Sequence, residues 1–191
     1  AASQVYRLDT NGFNVDLAES LNSVDGTLRK LGAGTLSLSG SSTYDGATVI
    51  EAGVLAVGSD NGSGELKGDI SGAGSLSKLG TGTLTLSGNN SYQGGTNLNG
   101  GMLALGSANA IGNSGTISFG GGTLQFTANN ATDYSNRFST ADNQAYRLNT
   151  NGRDVDLAAN LTSAGGSLTK LGDGTLSVSG NNSYTGGTNL N

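Results

Sequence analysis

Few side chains in this sequence could perform chemistry. The 191 residues include no histidine and no cysteine, so a Ser-His-Asp triad, a Cys-His pair, a thiol metal site and a disulfide framework are all impossible. Carboxylates remain, and enzymes that cleave polysaccharides use them in pairs. The candidates for such a pair are Asp9, Asp16, Asp154 and Asp156.

These aspartates belong to two similar stretches, QVYRLDTNGFNVDLAESL and QAYRLNTNGRDVDLAANL. In the second stretch Asn149 stands in the place of Asp9, and Asp154 stands in the place of Asn14. Because the two stretches do not keep the same pair, we interpret the aspartates as solvated surface groups. The sequence therefore predicts no catalytic residue and no enzyme activity.

Metal binding is the second kind of chemistry that carboxylates support. A calcium β-roll needs glycine-rich repeats with regularly spaced aspartates. No regular spacing connects Asp25, Asp45, Asp60 and Asp69. We therefore expect no metal, no cofactor and no small-molecule substrate.

One lysine recurs at the same place of a repeated motif, as Lys30, Lys78 and Lys170. A row of such lysines could be a stripe that binds a ligand. Alternatively, the lysines point outward and discourage sideways pairing of exposed strand edges. We favour the outward, structural interpretation.

One tyrosine recurs in the same way, as Tyr44, Tyr92 and Tyr184, before a Gly-Gly-Thr or Gly-Ala-Thr turn. Exposed tyrosines could form a surface for carbohydrate or a receptor. We favour the alternative, in which each ring packs over the glycine turn and its hydroxyl caps a corner.

These residues recur because a long motif does. The block GTLRKLGAGTLSLSGSSTYDGATVIEAGVLAVG, near residues 26–58, returns near 74–106 and in part near 166–191. A larger period of roughly 140 residues relates the two aspartate-bearing stretches, so that Tyr6 corresponds to Tyr146. Self-similarity at fixed periods indicates a repeat architecture. We interpret residues 1–191 as a single segment and expect it to be a slice of a longer repetitive protein.

Alternating apolar residues predict short β-strands and almost no helix. The strands are expected near residues 6–8, 15–17, 36–38, 54–57, 84–86, 102–105, 117–119, 124–126, 146–148, 155–157 and 176–178. Asn-Gly pairs, which supply positive φ at little cost, follow some of them at Asn11, Asn61, Asn99 and Asn151. Such a pair can close an antiparallel hairpin or form a corner between stacked coils.

We favour corners, because both shifts between the motif lysines are near-multiples of roughly 23 to 24 residues, a length that suits one coil of three strands. This interpretation places the first two motif copies two coils apart. The whole chain then makes about eight coils, a rod of roughly 40 Å at the strand spacing of a sheet.

The period of two also predicts which side chains face the core of the rod. The inward set is Leu36, Leu38, Leu84, Leu86, Phe119, Leu124, Phe126, Leu176 and Val178. The outward set is Thr35, Ser37, Thr83, Thr85, Thr175 and Ser177.

The repeated motif K-L-G-x-G-T-L-[ST]-[LV]-S-G-x-[NS]-[ST]-Y-x-G-[GA]-T resembles the passenger-associated repeat of bacterial autotransporters. One position departs, where Ala47 stands in place of Gly94 and Gly186, and residues 107–136 do not fit the motif. The resemblance implies an all-β, right-handed parallel β-helix. It also implies type V secretion through the periplasm and the protein's own C-terminal outer-membrane barrel, with display on a Gram-negative cell.

Composition bounds the function further. Charged residues make up 12% of the chain and the net charge is −5, which argues against nucleic acid as a partner, since that requires clustered Lys and Arg. We expect a stalk segment whose stacking repeats drive vectorial folding and secretion. The alternatives are an adhesin module that contacts host glycan, a host surface or another copy of itself, and a β-helix enzyme acting on carbohydrate. We also expect coil edges exposed at the two ends to pair head to tail.

Overall fold

The computed structural model describes residues 3–40, 42, 44–58 and 64–191. In that part of the chain the 3-10 turn Ser135–Arg137 is the only helical element, and no helix is long and apolar enough to cross a membrane. In chain order, strands β1 to β19 are Val5–Asp9, Val15–Leu17, Thr27–Leu31, Thr35–Leu38, Thr48–Ile50, Val54–Val57, Gly64–Leu66, Ile70–Ser71, Ser75–Lys78, Thr83–Leu86, Thr96–Leu98, Met102–Leu105, Ile117–Phe119, Thr123–Gln125, Ala145–Asn149, Val155–Leu157, Ser167–Leu171, Leu176–Val178 and Thr188–Leu190.

The strands stack into three faces, and all pairs of these strands are parallel. Face 1 carries β1, β3, β5 and β8; face 2 carries β2, β4, β6, β9, β11 and β13; face 3 carries β7, β10, β12, β14, β15, β17 and β19. Strands β16 and β18 form a short sheet of their own. Each follows a strand of face 3 along the chain, as β8 of face 1 follows β7 of face 3. The chain is therefore a parallel β-solenoid of about nine turns, which confirms the predicted all-β class.

The Asn-Gly links form corners, as predicted. Asn11 and Asn151 have φ of 46° and 49°, and each lies just after a strand whose partners are parallel. A tight antiparallel hairpin is thereby excluded at both places. The Asn61 link lies outside the described residues.

Most coils are shorter than the sequence predicted. Partner strands in neighbouring coils are mostly 19 to 22 residues apart, as in the pairs Thr35 with Val54 and Thr48 with Ile70. Among the paired strands described, the longest step leads from Thr123 to its partner Arg147, at 24 residues. Shorter coils give about nine turns where the sequence predicted about eight.

The short coil also turns successive motif copies onto different faces. Leu28 lies on face 1, and its equivalents Leu76 and Leu168 lie on faces 2 and 3. The shift between the first two copies is therefore two coils plus one side of the next coil. The prediction that these copies lie two whole coils apart is wrong, because a solenoid with three similar faces can accept the motif on any of them.

The core is the stack of inward side chains, as the period of two predicts. Leu36, Leu38, Leu84, Leu86, Phe119, Leu124 and Phe126 are each at most 4% exposed. Burial of one such side chain stabilises by about 1.5–3 kcal/mol, so the continuous column is the main source of stability. Val178 is 38% exposed and Leu176 is half-buried, because β18 has a partner strand on one side only.

The predicted outward positions do lie on the outside of the strands. Thr35, Ser37, Thr83 and Thr85 are half-buried between neighbours in the stack, and Thr175 and Ser177 are exposed. In β4 and β10 these residues alternate with the buried leucines.

Candidate functional site

The motif lysines lie inside the solenoid. Lys30 and Lys78 are 0% and 1% exposed, so the outward interpretation and the ligand-binding stripe are both wrong for these two residues. Lys30 alternates with Arg29 in β3 and shares the inward side with Leu28. The apolar stem of a lysine can pack among core side chains while its ammonium reaches polar groups. Here those groups are oxygen atoms at a corner of the coil.

The Lys30 ammonium connects three consecutive coils. It donates hydrogen bonds to the carbonyl oxygens of Leu31 at 3.0 Å and Gly32 at 2.7 Å within its own coil. It also donates to the Thr10 hydroxyl at 3.1 Å in the preceding coil and to the Ala52 carbonyl at 3.2 Å in the following coil. One side chain thus bonds polar groups at the corners of three coils.

The glycine of the K-L-G sequence makes this corner possible. Gly32, Gly80 and Gly172 have φ of 74°, 66° and 72°, a left-handed conformation that costs other residues energy. The equivalent contacts form in the other copies: Lys78 donates to Gly80 O at 3.3 Å and to Leu79 O, and Lys170 donates to Gly172 O. Lys170 is only half-buried in its outer coil.

The buried ammonium groups lack a carboxylate partner among the described residues, where the ion pairs are Arg29–Glu51 and Lys67–Glu65. Burial lowers the pKa of Lys30, and the charge of Asp9 opposes that effect. Burial also lowers the pKa of Lys78. Carbonyl dipoles therefore stabilise the charged form in place of an ion pair.

The motif tyrosines cap the other corner, as predicted. Tyr44 and Tyr92 are 2% and 0% exposed, and their hydroxyl oxygens lie 2.9 and 2.7 Å from the hydroxyls of Thr48 and Thr96. Burial raises the pKa of both tyrosines to about 12, and the threonine hydrogen bond opposes that effect. Tyr184 makes the same contact in the last coil, where it is half-buried.

A third polar position, two residues before each tyrosine, was missed from the sequence. It is occupied by Ser42, Asn90 and Asn182. Each side-chain oxygen accepts a hydrogen bond, 2.8 to 3.1 Å long, from a backbone N–H of the preceding coil. Their own coils have no regular strand at this position, so the side chain accepts a hydrogen bond that a strand backbone would otherwise accept. The recurrence of a small polar residue at this motif position is the signal that could have identified it.

Comparison with known families identifies the motif. Residues 28–57, 76–105 and 168–191 match the passenger-associated transport repeat. The chain carries three passenger-associated transport repeats. Each match falls within a motif copy defined from the sequence. A search of curated proteins and a search of solved structures returned no match.

One repeat spans two faces of two consecutive coils. The strands of the first repeat pair with each other, β3 with β5 and β4 with β6, and those of the second do the same, β9 with β11 and β10 with β12. The lysine fixes one corner of the repeat, the serine or asparagine bridges the side without a strand, and the tyrosine fixes the next corner. Repeats of this family and a parallel β-solenoid together fit an autotransporter passenger stalk.

The candidate carboxylates serve local structure. Asp9 is on face 1 and accepts the N–H of its own corner at 2.8 Å, whereas Asp16 is on face 2 and accepts the hydroxyl of Ser39 at 2.8 Å. Asp154 and Asp156 lie beside and within β16. Hydrogen bonds from Thr175 lower the pKa of Asp154.

The aspartates weighed for calcium also bind backbone groups. Asp45 accepts the N–H of Asp25 at 2.6 Å, and Asp69 accepts the N–H of Asn89 at 2.7 Å. Asp60 lies outside the described residues. In the described part of the chain no three His, Cys, Asp or Glu side chains are grouped so that they could hold a metal ion.

Residues 107–138, between the second and third repeats, are built differently, and residues 107–136 of this segment were not placed on the motif. Here Arg137 holds a loop of the preceding coil. It donates to the carbonyl oxygens of Gly115 at 2.9 Å and Ser114 at 2.5 Å, and to that of Gly112. We call this segment the break. In the break, side-chain hydrogen bonds satisfy backbone groups of the kind that strand pairs satisfy in the repeats.

Asp133 and Asn130 complete the polar framework of the break. The Asp133 carboxylate accepts the N–H groups of Ser135 at 2.7 Å and Ala158 at 2.9 Å. Burial opposes ionisation of Asp133, but these hydrogen bonds outweigh it and hold its pKa below the usual value. The Asn130 amide donates to the Tyr134 hydroxyl at 2.8 Å.

An aromatic cluster packs the core beneath the break. Phe119 meets Phe138 edge to face with centroids 4.9 Å apart, and Tyr146 edge to face at 5.4 Å. The Tyr146 hydroxyl donates to the Ser139 carbonyl at 2.7 Å. These rings fill the longer coil between β14 and β15.

Proposed function

We propose that this chain is a stalk segment of a secreted autotransporter passenger, displayed on the surface of a Gram-negative cell. Passage across the outer membrane uses the protein's own C-terminal barrel, which lies outside these residues. The three passenger-associated transport repeats and the parallel β-solenoid support this role.

The observation that carries the proposal is that each coil is completed by the next. Strand pairs join coils on all three faces, and repeated lysine and asparagine side chains bridge the places between strands. Within the described residues every buried side-chain nitrogen or oxygen has a hydrogen-bond partner. A coil that emerges from the membrane therefore gains its bonds by docking on the coil already folded, and that free energy opposes sliding back.

The test is surface display of a graft. Residues 1–191 replace part of the stalk of a well-behaved autotransporter, and protease shaving of intact cells measures the displayed fraction. We expect the graft to be displayed like the parent. Retention of the grafted protein in the periplasm would contradict the proposal.

A matched pair of variants tests whether display depends on stacking of the core or is sensitive to any added charge. Leu84 is 4% exposed and faces the core, whereas Thr83 next to it is half-buried on the outside. Leu84→Asp should reduce display strongly, because it places a charge in the column of leucines. Thr83→Asp should leave display nearly unchanged, and equal display of both variants would count against folding-driven export.

We propose that the segment has no hydrolase activity. Asp16 is engaged by Ser39, and the exchange of Asp9 for Asn149 removes a repeated carboxylate pair. Incubation with a panel of plant and bacterial polysaccharides should release no reducing ends. Release that Asp16→Asn abolishes would overturn this expectation.

Adhesion is a second candidate function, with host glycan, a host surface or another copy of the chain as partner. The observation that favours it is the break, whose loops leave polar side chains exposed. Sedimentation at rising concentration tests self-association, and a monomer at every concentration would exclude another copy of the chain as the partner.

A further inference from the structure

The break contains a groove that neither the repeats nor the stalk role explains. It has a volume of about 320 Å³ and runs between loops of two consecutive coils, at the lower end of the range of about 300–1,000 Å³ for ligand pockets. Its rim carries Asn109, Asn113, Thr132 and Asn136, and its floor includes Ile111 and Tyr134.

The walls of the groove are held in place without a ligand. Asn130 bridges the two loops, since its amide donates to the carbonyl oxygens of Ser107 at 2.9 Å and Ala108 at 3.1 Å. Arg137 holds the first loop through three carbonyl oxygens. A preorganised groove loses little entropy when it binds a ligand.

The rim side chains, in contrast, are available. Asn113, Thr132 and Asn136 are exposed, and within the described residues their side chains make no hydrogen bond to the protein. The side-chain nitrogen of Asn109 donates to Asn89 at 2.7 Å, which leaves the side-chain oxygen of Asn109 free. Amides and hydroxyls both donate and accept, so the rim can bind a ligand that does the same.

The charges next to the groove are already engaged. The guanidinium of Arg137 is directed at carbonyl oxygens, and the carboxylate of Asp133 at the N–H groups of Ser135 and Ala158. Among the described residues that line the groove, Arg137 and Asp133 are one cation and one anion, so the lining has no net charge that would favour an ionic ligand. The floor formed by Ile111 and Tyr134, which are 2% and 7% exposed, presents a small apolar surface to C–H groups.

From these observations we propose that the groove binds a neutral saccharide, one or two sugar units long. Hydroxyl groups of the sugar bond the rim amides of Asn113 and Asn136, and its C–H face lies on the floor. Affinity for a single site is about millimolar, as befits a shallow open groove, and copies displayed together on a cell raise the avidity. The proposal rests on the adhesin candidate and is independent of the stalk role.

The test begins with a glycan array probed by the 191-residue chain clustered on beads, because avidity compensates for the millimolar affinity of a single site. The array carries neutral glycans that end in galactose, mannose, glucose or N-acetylhexosamine, with sialylated and sulfated counterparts. A second arm carries bacterial O-polysaccharides, so that host and bacterial sources are distinguished. We expect binding to neutral glycans in one arm or both, and saturation-transfer NMR with the best neutral oligosaccharide then measures the affinity.

The decisive variant is the double substitution Asn113→Ala with Asn136→Ala. Both side chains are exposed, so the fold should be retained, as circular dichroism can check. We expect at least about tenfold weaker binding, because two hydrogen-bond partners are lost. Asn181→Ala, an exposed asparagine in the third repeat, is the matched control and should bind like the parent.

Three results would overturn the proposal: no binding to any glycan, binding that the double variant leaves unchanged, or a preference for the sialylated or sulfated glycans. The surface-display assay gives an independent reading of the double variant. Normal display with lost glycan binding supports the groove and leaves the stalk role intact. Failure of the graft to be displayed while the soluble chain binds glycan would contradict the stalk role alone.

Discussion

The repeats and the break use different side chains to satisfy the backbone groups that lie outside the strands. In the repeats, the same lysine, asparagine or serine, and tyrosine satisfy the corners of each repeat. In the break, Arg137 and Asp133 satisfy loop backbone groups, and Phe119 packs with two other rings. The comparison shows which parts of a solenoid are interchangeable and which are unique.

The difference has a physical cause. A repeated unit can be docked in any coil and on any face, because it carries its own corner and bridge residues. The coil of the break is longer, since Thr123 and its partner Arg147 are 24 residues apart, and its extra chain needs dedicated side-chain bonds. Such a segment can present a groove, because part of its backbone no longer lies in a sheet.

The largest effect is expected from Phe119→Ala, in the aromatic cluster of the break. Phe119 is 1% exposed, and removal of a buried phenylalanine ring costs about 3–5 kcal/mol. Since coils contact only their neighbours, the two flanks should then unfold separately. Urea unfolding followed by circular dichroism and tyrosine fluorescence measures this.

The control for Phe119→Ala is Phe13→Ala, at a position 70% exposed. Its free energy of unfolding should stay within about 0.5 kcal/mol of the parent. A single transition with an unchanged midpoint for Phe119→Ala would mean that the break is not a unit distinct from the repeats.

The second effect is expected from Arg137→Leu, which leaves three carbonyl oxygens of the break without their donor. Hydrogen bonds to charged groups contribute about 1.5–3 kcal/mol each and do not add simply, so we expect a loss of about 2–4 kcal/mol. Hydrogen exchange should accelerate at residues 112–116 and not in the repeats. Arg153→Leu, at an exposed position, is the control, and equal losses for the two variants would contradict the assigned role of Arg137.

The third effect concerns a repeat corner. At neutral pH, Tyr92→Phe removes the hydrogen bond to Thr96 and should cost about 1 kcal/mol. Tyr184→Phe, in the half-buried copy of the same corner, should cost less. Equal costs would show that burial does not set the strength of this corner.

Ionisation of Tyr92 at alkaline pH provides a second test of this corner. The folded pKa of Tyr92 is about 12 against about 10 in the unfolded chain, so its stabilising contribution is complete below pH 10 and declines as the pH rises to 12. Over that window the parent should lose about 2 kcal/mol through this tyrosine, and Tyr92→Phe should lack that loss. Unfolding titrations at pH 9 to 12 measure the difference.

The smallest effect is expected at the buried lysine corner. Burial lowers the pKa of Lys78 in the folded state below its usual value of 10.5, so the unfolded chain binds more protons between those two values. The free energy of unfolding should rise with pH across that window, and Lys78→Met should reduce the rise. Lys67→Met, at an exposed position, controls for the loss of one charge, and an equal slope in parent and Lys78→Met would contradict burial of the ammonium.

Much of the regular part of the fold could be predicted from local pattern. Each strand with clear apolar alternation formed where expected, including β4 at Leu36 and β10 at Leu84. Strands such as β3 and β5 were missed because Lys30 and Thr48 occupy inward positions and hide the alternation. The groove of the break was also missed, since its two loops lie about one coil apart in sequence and meet only when the coils stack.

The sequence by itself determined the repeat, the corners and the lack of histidine or cysteine chemistry, because these depend on residue identity and on spacing over a few positions. Only the tertiary structure decided the length of a coil, and with it the face that each repeat occupies. Both follow from the hydrogen-bond register that closes three sides around a core. The direction of Lys30 was decided in the same way, because carbonyl oxygens from neighbouring coils converge on its ammonium, and no local pattern of residues encodes that convergence.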